Sequence, residues 1–192
     1  MTSRLHSNWA AMDGDCKTFG GLGWTNAASL CRHFLDRTGE ELYIDMASLI
    51  DDERPLWASF EHSVRWEVND LLDEVRGVPA ASSETIEFTS QWRGYSISPT
   101  AGDWWGALGH INWAIRGDVW VGPQNADGDR PVQIRYRPFV SDMYDFDDPK
   151  YAGYLLAEYG WANPFHVKGV GNERTFDYSL STLDPWSIPF TP

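Results

Sequence analysis

No apolar run in this 192-residue chain approaches the length of about 18 residues that a membrane-spanning helix needs. A transmembrane segment is therefore not expected. The opening MTSRLHSNWAAMDGD lacks an apolar core followed by a cleavage site, so no signal peptide is expected either. Basic residues are scarce, 15 Lys and Arg against 28 Asp and Glu, and they form no run. At a net charge of −13 the field of the whole molecule repels a phosphate backbone, and no nucleic-acid partner is expected. A nuclease with a local basic cleft stays open. Only two cysteines occur, Cys16 and Cys31, and no histidine stands at a spacing that would complete a zinc site. Two free thiols are the expectation. One disulfide is the alternative, should the Gly20-Gly21 region fold back. Also missing are the Gly-x-Ser-x-Gly elbow, the Gly-x-x-x-x-Gly-Lys-Ser/Thr phosphate loop, His-Glu-x-x-His and Pro-Cys-x-x-Cys.

Aromatic residues are abundant, with 11 Trp, 8 Tyr and 9 Phe. They fill β-rich cores and also line sites for flat or greasy ligands. The hydrophobic fraction of 42 % and the charged fraction of 22 % are those of an ordered globular chain. The length suits one domain, or one domain with a small helical subdomain.

The pattern of apolar residues predicts an α+β fold, helices first and a curved antiparallel β-sheet or half-barrel after, with one inserted helix. Residues 1–23 are Gly-rich and read as irregular. Thr25 reads as an N-cap for a helix reaching Arg37, and Asp45 as the cap of a short helix, MASLIDD. A long helix is predicted from Pro55 to near Gly77, because Leu56, Phe60, Val64, Val68, Leu71, Leu72 and Val75 form one stripe. His62 falls off that stripe and reads as a surface residue. TIEFT (85–89) and WRGYSI (92–97) read as strands, and Gly106 to Ile115 alternates like one. QNADGDR carries an Asp-Gly turn signal. Val132, Ile134, Tyr136 and Val140 then alternate with Gln133, Arg135, Arg137 and Phe139. A helix is expected from Pro149 to Gly160, and a last strand over Thr175 to Leu180. The organisation expected is a helical part over 1–80 and a β-rich catalytic part over 81–192, in one compact domain.

The stretch SDMYDFDDP, Ser141 to Pro149, concentrates four aspartates and a tyrosine in an already acidic chain. Asp147 or Asp148 can be explained as capping residues before Pro149 at a helix start. Asp142 and Asp145 cannot. Two carboxylates brought together by a twist or bulge at a strand end cannot both stay charged cheaply. One takes a proton, or a divalent cation such as Mg or Ca sits between them. Asp142, Asp145 and Asp147 are therefore the candidate metal ligands. His166, in NPFHVKG, is the candidate general base, and His110 the second histidine in view. Arg135 and Arg137 share a strand face and suit a phosphate. Surface and strand-face roles are the plainer alternatives for all four.

Two resemblances meet at these residues. SLCRHFLDRTGEELYIDMASLIDD, DWWGALGHINWAIRG, RYRPFVSDMYDFDD and YGWANPFHVKGVGNERTF resemble, over roughly residues 29–176, the C-terminal toxin domains of bacterial polymorphic toxins. Asp142-x-Tyr144-Asp145 resembles the Asp-x-Tyr-Asp motif of colicin M-type bacteriocins. That resemblance implies a curved sheet with helices, a need for a divalent cation, and hydrolysis of lipid II between its undecaprenyl and pyrophosphoryl parts. It implies catalytic roles for Asp142, Tyr144 and Asp145, with a lipid-linked pyrophosphate as substrate and a cognate immunity protein as partner. In the family a His-Arg pair follows the motif; here Phe-Asp-Asp-Pro-Lys-Tyr follows, and His166 and Arg174 come later and are not adjacent. A toxin of this kind would be made in the cytoplasm and delivered by a secretion system to the periplasm or envelope of a target cell. Two other readings stand beside it: a non-enzymatic binding module with an aromatic-rich surface, and a phage or secretion-system adaptor.

Overall fold

The computed structural model describes residues 2–146 and 152–188. Its helices are α1 (Thr2–Gly21), α2 (Thr25–Asp36), α3 (Met46–Asp52), α4 (Arg54–Asp70), α5 (Leu72–Gly77), α6 (Asp103–Ala107) and α7 (Ala152–Glu158). Its strands are β1 (Leu42–Tyr43), β2 (Glu84–Thr89), β3 (Arg93–Ser96), β4 (His110–Val121), β5 (Pro131–Tyr144), β6 (Phe165–Val170) and β7 (Arg174–Ser179). The fold is α+β. The sheet is open, in the order β1-β6-β5-β4-β2, with β3 on β4 and β7 on β5. It is mixed rather than wholly antiparallel as expected. Leu42 pairs with Val167 in a parallel β1–β6 ladder, while β2–β4 and β5–β7 are antiparallel. The β1 residues come before the helices that lead into the rest of the sheet, and two residues of strand leave little periodicity to read.

Two compact units form. One comprises residues 1–53, 94–112 and 140–169; the other comprises 54–93, 113–139 and 170–192.

In the first unit, α1 replaces the irregular segment expected over residues 1–23. Its sequence is a poor helix former, with Gly14, Gly20 and Gly21 and several Ser, Thr, Asn and Asp. Only Leu5, Met12 and Cys16 are buried along its 20 residues. Tertiary packing holds it. His6 packs edge-on to Trp161, and Cys16 is bonded to Cys31 of α2 with Cα atoms 5.5 Å apart. The two thiols expected to be free are thus one disulfide, and both sulfur-bearing residues are wholly buried. A bridge closing 15 residues restricts the unfolded chain by about 3 kcal/mol.

Thr25 does not cap α2 as expected. The N-cap is Trp24, which supplies no side-chain bond. Asp103 at the start of α6 caps the helix from a distance. Its carboxylate accepts from the backbone N–H groups of Asn26 (2.9 Å) and Ala27 (2.7 Å) and from the Asn26 side chain (3.0 Å). A carboxylate at this end also answers the helix dipole. Asp45 caps α3 as expected, accepting from Ala47 N–H at 3.0 Å and Ser48 N–H at 3.3 Å. Glu53 is almost fully buried, and its carboxylate accepts from Tyr95 O–H (2.6 Å) and Ser98 N–H (3.1 Å).

In the second unit the long helix expected over residues 55–77 is two, α4 and α5, parted at Leu71. Leu56, Phe60, Val64, Val68 and Val75 are buried as the stripe demands. Each such side chain contributes about 1.5–3 kcal/mol by leaving water. The rings of Phe60 and Trp113 meet at 5.1 Å. Ile86 and Phe88 of β2, Val119 and Val121 of β4, and Val132, Ile134 and Tyr136 of β5 complete that core. Gly117 is required: a Cβ there would collide with the Arg135 carbonyl and the Phe88 ring. Arg130 is buried and donates to the carbonyls of Gly122 (2.8 Å), Val78 and Ser82 (3.0 Å). It satisfies backbone oxygens that would otherwise be stranded at the hairpin.

Candidate active site

The strand expected from Gly106 begins only at His110. Before it, Asp103–Ala107 is a helical turn, entered at Gly102 (φ +53°) and left at Gly109 (φ +63°), backbone that favours glycine. Gly106 lets this turn press on Trp24, since a Cβ there would stand 2.9 Å from the indole ring. Asp103 and Gly106 therefore lock α6 to the N-terminal end of α2, and the disulfide locks α1 to the same helix.

These two locks frame a cleft of about 390 Å³ in the first unit. α1 lends Met12, Asp15 and Phe19. The turn of α6 and the residues after it lend Trp105 to Gly109. The end of β5 and the two residues beyond it lend Asp142, Met143, Tyr144, Asp145 and Phe146. The lining thus combines three carboxylates with an apolar rim. Trp105 is 45 % exposed and Met143 40 % exposed, both unusual for side chains of that size.

Asp142 is half-buried, and burial pushes its carboxyl up to about 6; the Met143 N–H pulls it down, and Asp145 adds a like charge that pushes it up. Its protonation state therefore changes close to neutrality, the condition a general acid or base needs. Tyr144 is buried by three aromatic neighbours. Its ring stacks on Phe165 at 5.1 Å and meets Phe146 at 5.7 Å and Phe34 at 6.0 Å. Burial raises its hydroxyl far above the ordinary tyrosine range, so it stays neutral. Its ring sets the end of β5 in place, and with it the carboxylate two residues earlier.

The cleft brings together Asp142, Tyr144 and Asp145. It does not include the other candidates. His166 points outward on β6, between buried Phe165 and Val167, on the exposed side near Glu41. His110 is exposed at the start of β4, beside Ser96 Oγ at 3.3 Å. Arg135 and Arg137 lie in the second unit. Arg135 donates twice to one Asp118 oxygen, at 3.0 and 2.9 Å, and Arg137 stands 3.7 Å from Glu173. Asp147 lies outside the described residues, as does the Pro149 start expected for α7. Among the described residues no group of three or more His, Cys, Asp or Glu is close enough to hold a metal ion. The pair Asp142 and Asp145 fits a cation in one respect: a positive ion would relieve the like-charge repulsion already recorded at Asp142.

Asp15, Phe19 and Trp105 were missed by sequence reasoning. Asp15 sits in a segment read as irregular, 127 positions before Asp142. Trp105 lies just ahead of the alternation that begins at Gly106 and carries no signal of its own.

No protein-family model matches the chain, and no curated protein matches it. Among solved structures it is similar to PaeM, a colicin M-like bacteriocin produced by Pseudomonas aeruginosa. The identity is 17 % and the TM-score 0.39, over 81 % of this chain and 50 % of that one. It is also similar to a truncated form of the bacteriocin syringacin M from Pseudomonas syringae pv. tomato, at 13 % identity and TM-score 0.34, over 82 % of this chain and 61 % of that one. For syringacin M itself the identity is 14 % and the TM-score 0.34, over 79 % of this chain and 50 % of the other. The chain spans about half the length of PaeM and of syringacin M.

Proposed function

We propose that this chain is an antibacterial toxin domain that hydrolyses a lipid-linked pyrophosphate of the bacterial cell envelope, in the manner of the colicin M-type enzymes, with lipid II as the leading candidate. One observation carries the reading: Asp142-x-Tyr144-Asp145 lines an acidic cleft with an apolar rim, and Asp142 is tuned to about 6. The two chemistries of the cleft match the two halves of such a substrate. Trp105, Met143 and Phe19 offer apolar surface to the prenyl chain next to the anionic head. Asp142, ionised above pH 6, takes a proton from the attacking water as it approaches phosphorus; the bond from phosphorus to the prenyl oxygen breaks, and the prenol leaves with a proton returned from Asp142 or solvent. Burial keeps the proton affinity of Asp142 high, and the like charge of Asp145 adds to it. Tyr144 holds the strand end. A divalent cation held at Asp145 would neutralise pyrophosphate charge that these carboxylates otherwise repel, with Asp142 left as the base. His166 takes no part in this scheme, because its side chain faces away from the buried residues of β6.

On this reading the chain is made in the cytoplasm of a producer and acts in the periplasm or envelope of a target cell, and the producer holds an immunity protein against it. Expression of the wild type and of the Asp142→Ala/Asp145→Ala pair, each sent to the cytoplasm and to the periplasm, tests this. Lysis by the wild type alone, from the periplasm alone, with loss of intact precursor, is expected. Equal killing by the folded double variant overturns it. Killing from the cytoplasm discards an envelope precursor as the substrate.

A second reading has an observation of its own. In the other unit Trp66 and Trp186 meet at 5.2 Å while each stays nearly half exposed, and His62 accepts from Trp66 Nε1 at 2.8 Å. A grouped aromatic surface is what a binding module would present. Undiminished toxicity of a Trp66→Ala/Trp186→Ala chain removes that reading.

A further inference from the structure

The wall of the cleft that α1 supplies is held poorly by its own sequence and depends on what α1 packs against. Met12, Asp15 and Phe19 line the cleft within eight positions of one helix, and Cys16 lies among them. The helix buries three side chains over five turns and carries three glycines, so neither propensity nor burial holds it well. Gly14, Gly20 and Gly21 gain little from their neighbours; a Cβ at Gly14 or Gly21 would meet nothing within 4 Å. The bond from Cys16 to Cys31 ties this wall to α2, the helix that Asp103 also ties to the opposite, Trp105-bearing wall.

We propose that the Cys16–Cys31 bridge is an assembly lock, which completes the cleft only where disulfides persist. Two thiols become one S–S bond, and two electrons and two protons pass to a disulfide-carrying oxidant, such as oxidised glutathione or a periplasmic thiol oxidoreductase, whose own disulfide becomes two thiols. In a reducing compartment α1 is untied, and the wall bearing Met12, Asp15 and Phe19 leaves the cleft. In an oxidising one it is fixed. The bearing of the lock on catalysis rests on the function proposed for the cleft; the bearing on α1 does not.

Amide hydrogen exchange separates the two. The oxidised chain is compared with reduced wild-type chain and with a Cys16→Ala/Cys31→Ala chain, with the β2–β4 ladder as internal reference. Exchange over residues 2–21 is expected to quicken on the order of a hundredfold without the bridge, the effect of losing a 15-residue loop constraint, while the ladder is unchanged. Hydrolysis of a lipid-linked pyrophosphate is expected to fall in parallel and to return when the reduced wild type is treated with oxidised glutathione. Unchanged protection of α1 overturns the lock. So does a loosened α1 with full hydrolysis. If the alanine pair also loses ladder protection it has unfolded, and the reduced wild type decides. If the oxidised chain hydrolyses nothing, the proposed function falls, and the exchange result alone judges the lock.

Discussion

Two clefts, one in each unit, hold charge in opposite ways. In the second unit a cleft of about 280 Å³ is lined by Arg116, Arg135 and Arg137 with Glu87, Asp118 and Glu173. Each arginine faces an acid, Arg116 at 3.4 Å from Glu87, Arg135 at 2.9 Å from Asp118 and Arg137 at 3.7 Å from Glu173. The Arg116 and Arg137 pairs are exposed and the Arg135 pair part-buried, and exposed pairs contribute about 0–1 kcal/mol each. In the first unit Asp142 meets another acid and is desolvated. Neutral pairing makes a surface; like charge under partial burial makes a proton affinity that chemistry can use. The arginines proposed from the strand face for phosphate belong to the first kind of arrangement, and Asp142 with Asp145 to the second.

The largest effect expected on that contrast is in catalysis. Asp142→Ala should lower turnover of a lipid-linked pyrophosphate by about 10²- to 10⁴-fold with the fold retained, whereas Asp118→Ala should leave it within a few-fold. Equal losses in a kinetic assay of the two variants would break the comparison. In stability the order reverses. Arg130→Ala, in the second unit, strands two buried carbonyls and one part-buried one and should cost about 3–5 kcal/mol in urea unfolding. Asp142→Asn should instead stabilise the chain above pH 6. The carboxyl of Asp142 is raised above its ordinary unfolded value, so the stability its protonation lends is complete below about pH 4 and lost as pH rises through about 6. Turnover should accordingly rise with pH through about 6, and Asp145→Asn should move that midpoint down, since a like charge has gone. A midpoint unmoved in the pH–rate profile would remove Asp145 from the electrostatics of the site. The smallest effect belongs to Arg137→Ala, about 0.5 kcal/mol or less by denaturation, as befits an exposed pair at 3.7 Å.

Much of the core was legible in the chain, because its signals are local and periodic. The stripe from Leu56 to Val75 placed the buried face of α4 and α5, and the alternation Val132, Ile134, Tyr136 placed that of β5. The Asp45 cap and the Asp-Gly turn were read for the same reason. The carboxylates Asp142 and Asp145 stood out by density of charge alone. What misled were segments whose structure is set from afar. α1 looks like a Gly-rich coil until Cys31 and Trp161 are beside it. Thr25 looks like a cap because the true cap, Asp103, is 77 positions from Asn26. The stretch from Gly106 to Gly109 looks like strand because the left-handed backbone at Gly109 is invisible to a pattern of alternation.

By itself, then, the sequence determined the class of fold, the inward faces of its long elements, and the concentration of acid from the end of β5 onward, all consequences of hydrophobic periodicity and composition along short stretches. Tertiary structure alone decided that Cys16 meets Cys31, that Asp15 and Trp105 share a cleft with Asp142, and that His166 does not line it. Those outcomes depend on which faces of distant segments meet. Burial and the like charge of Asp145, which together raise the proton affinity of Asp142, come into being only when those segments close around it.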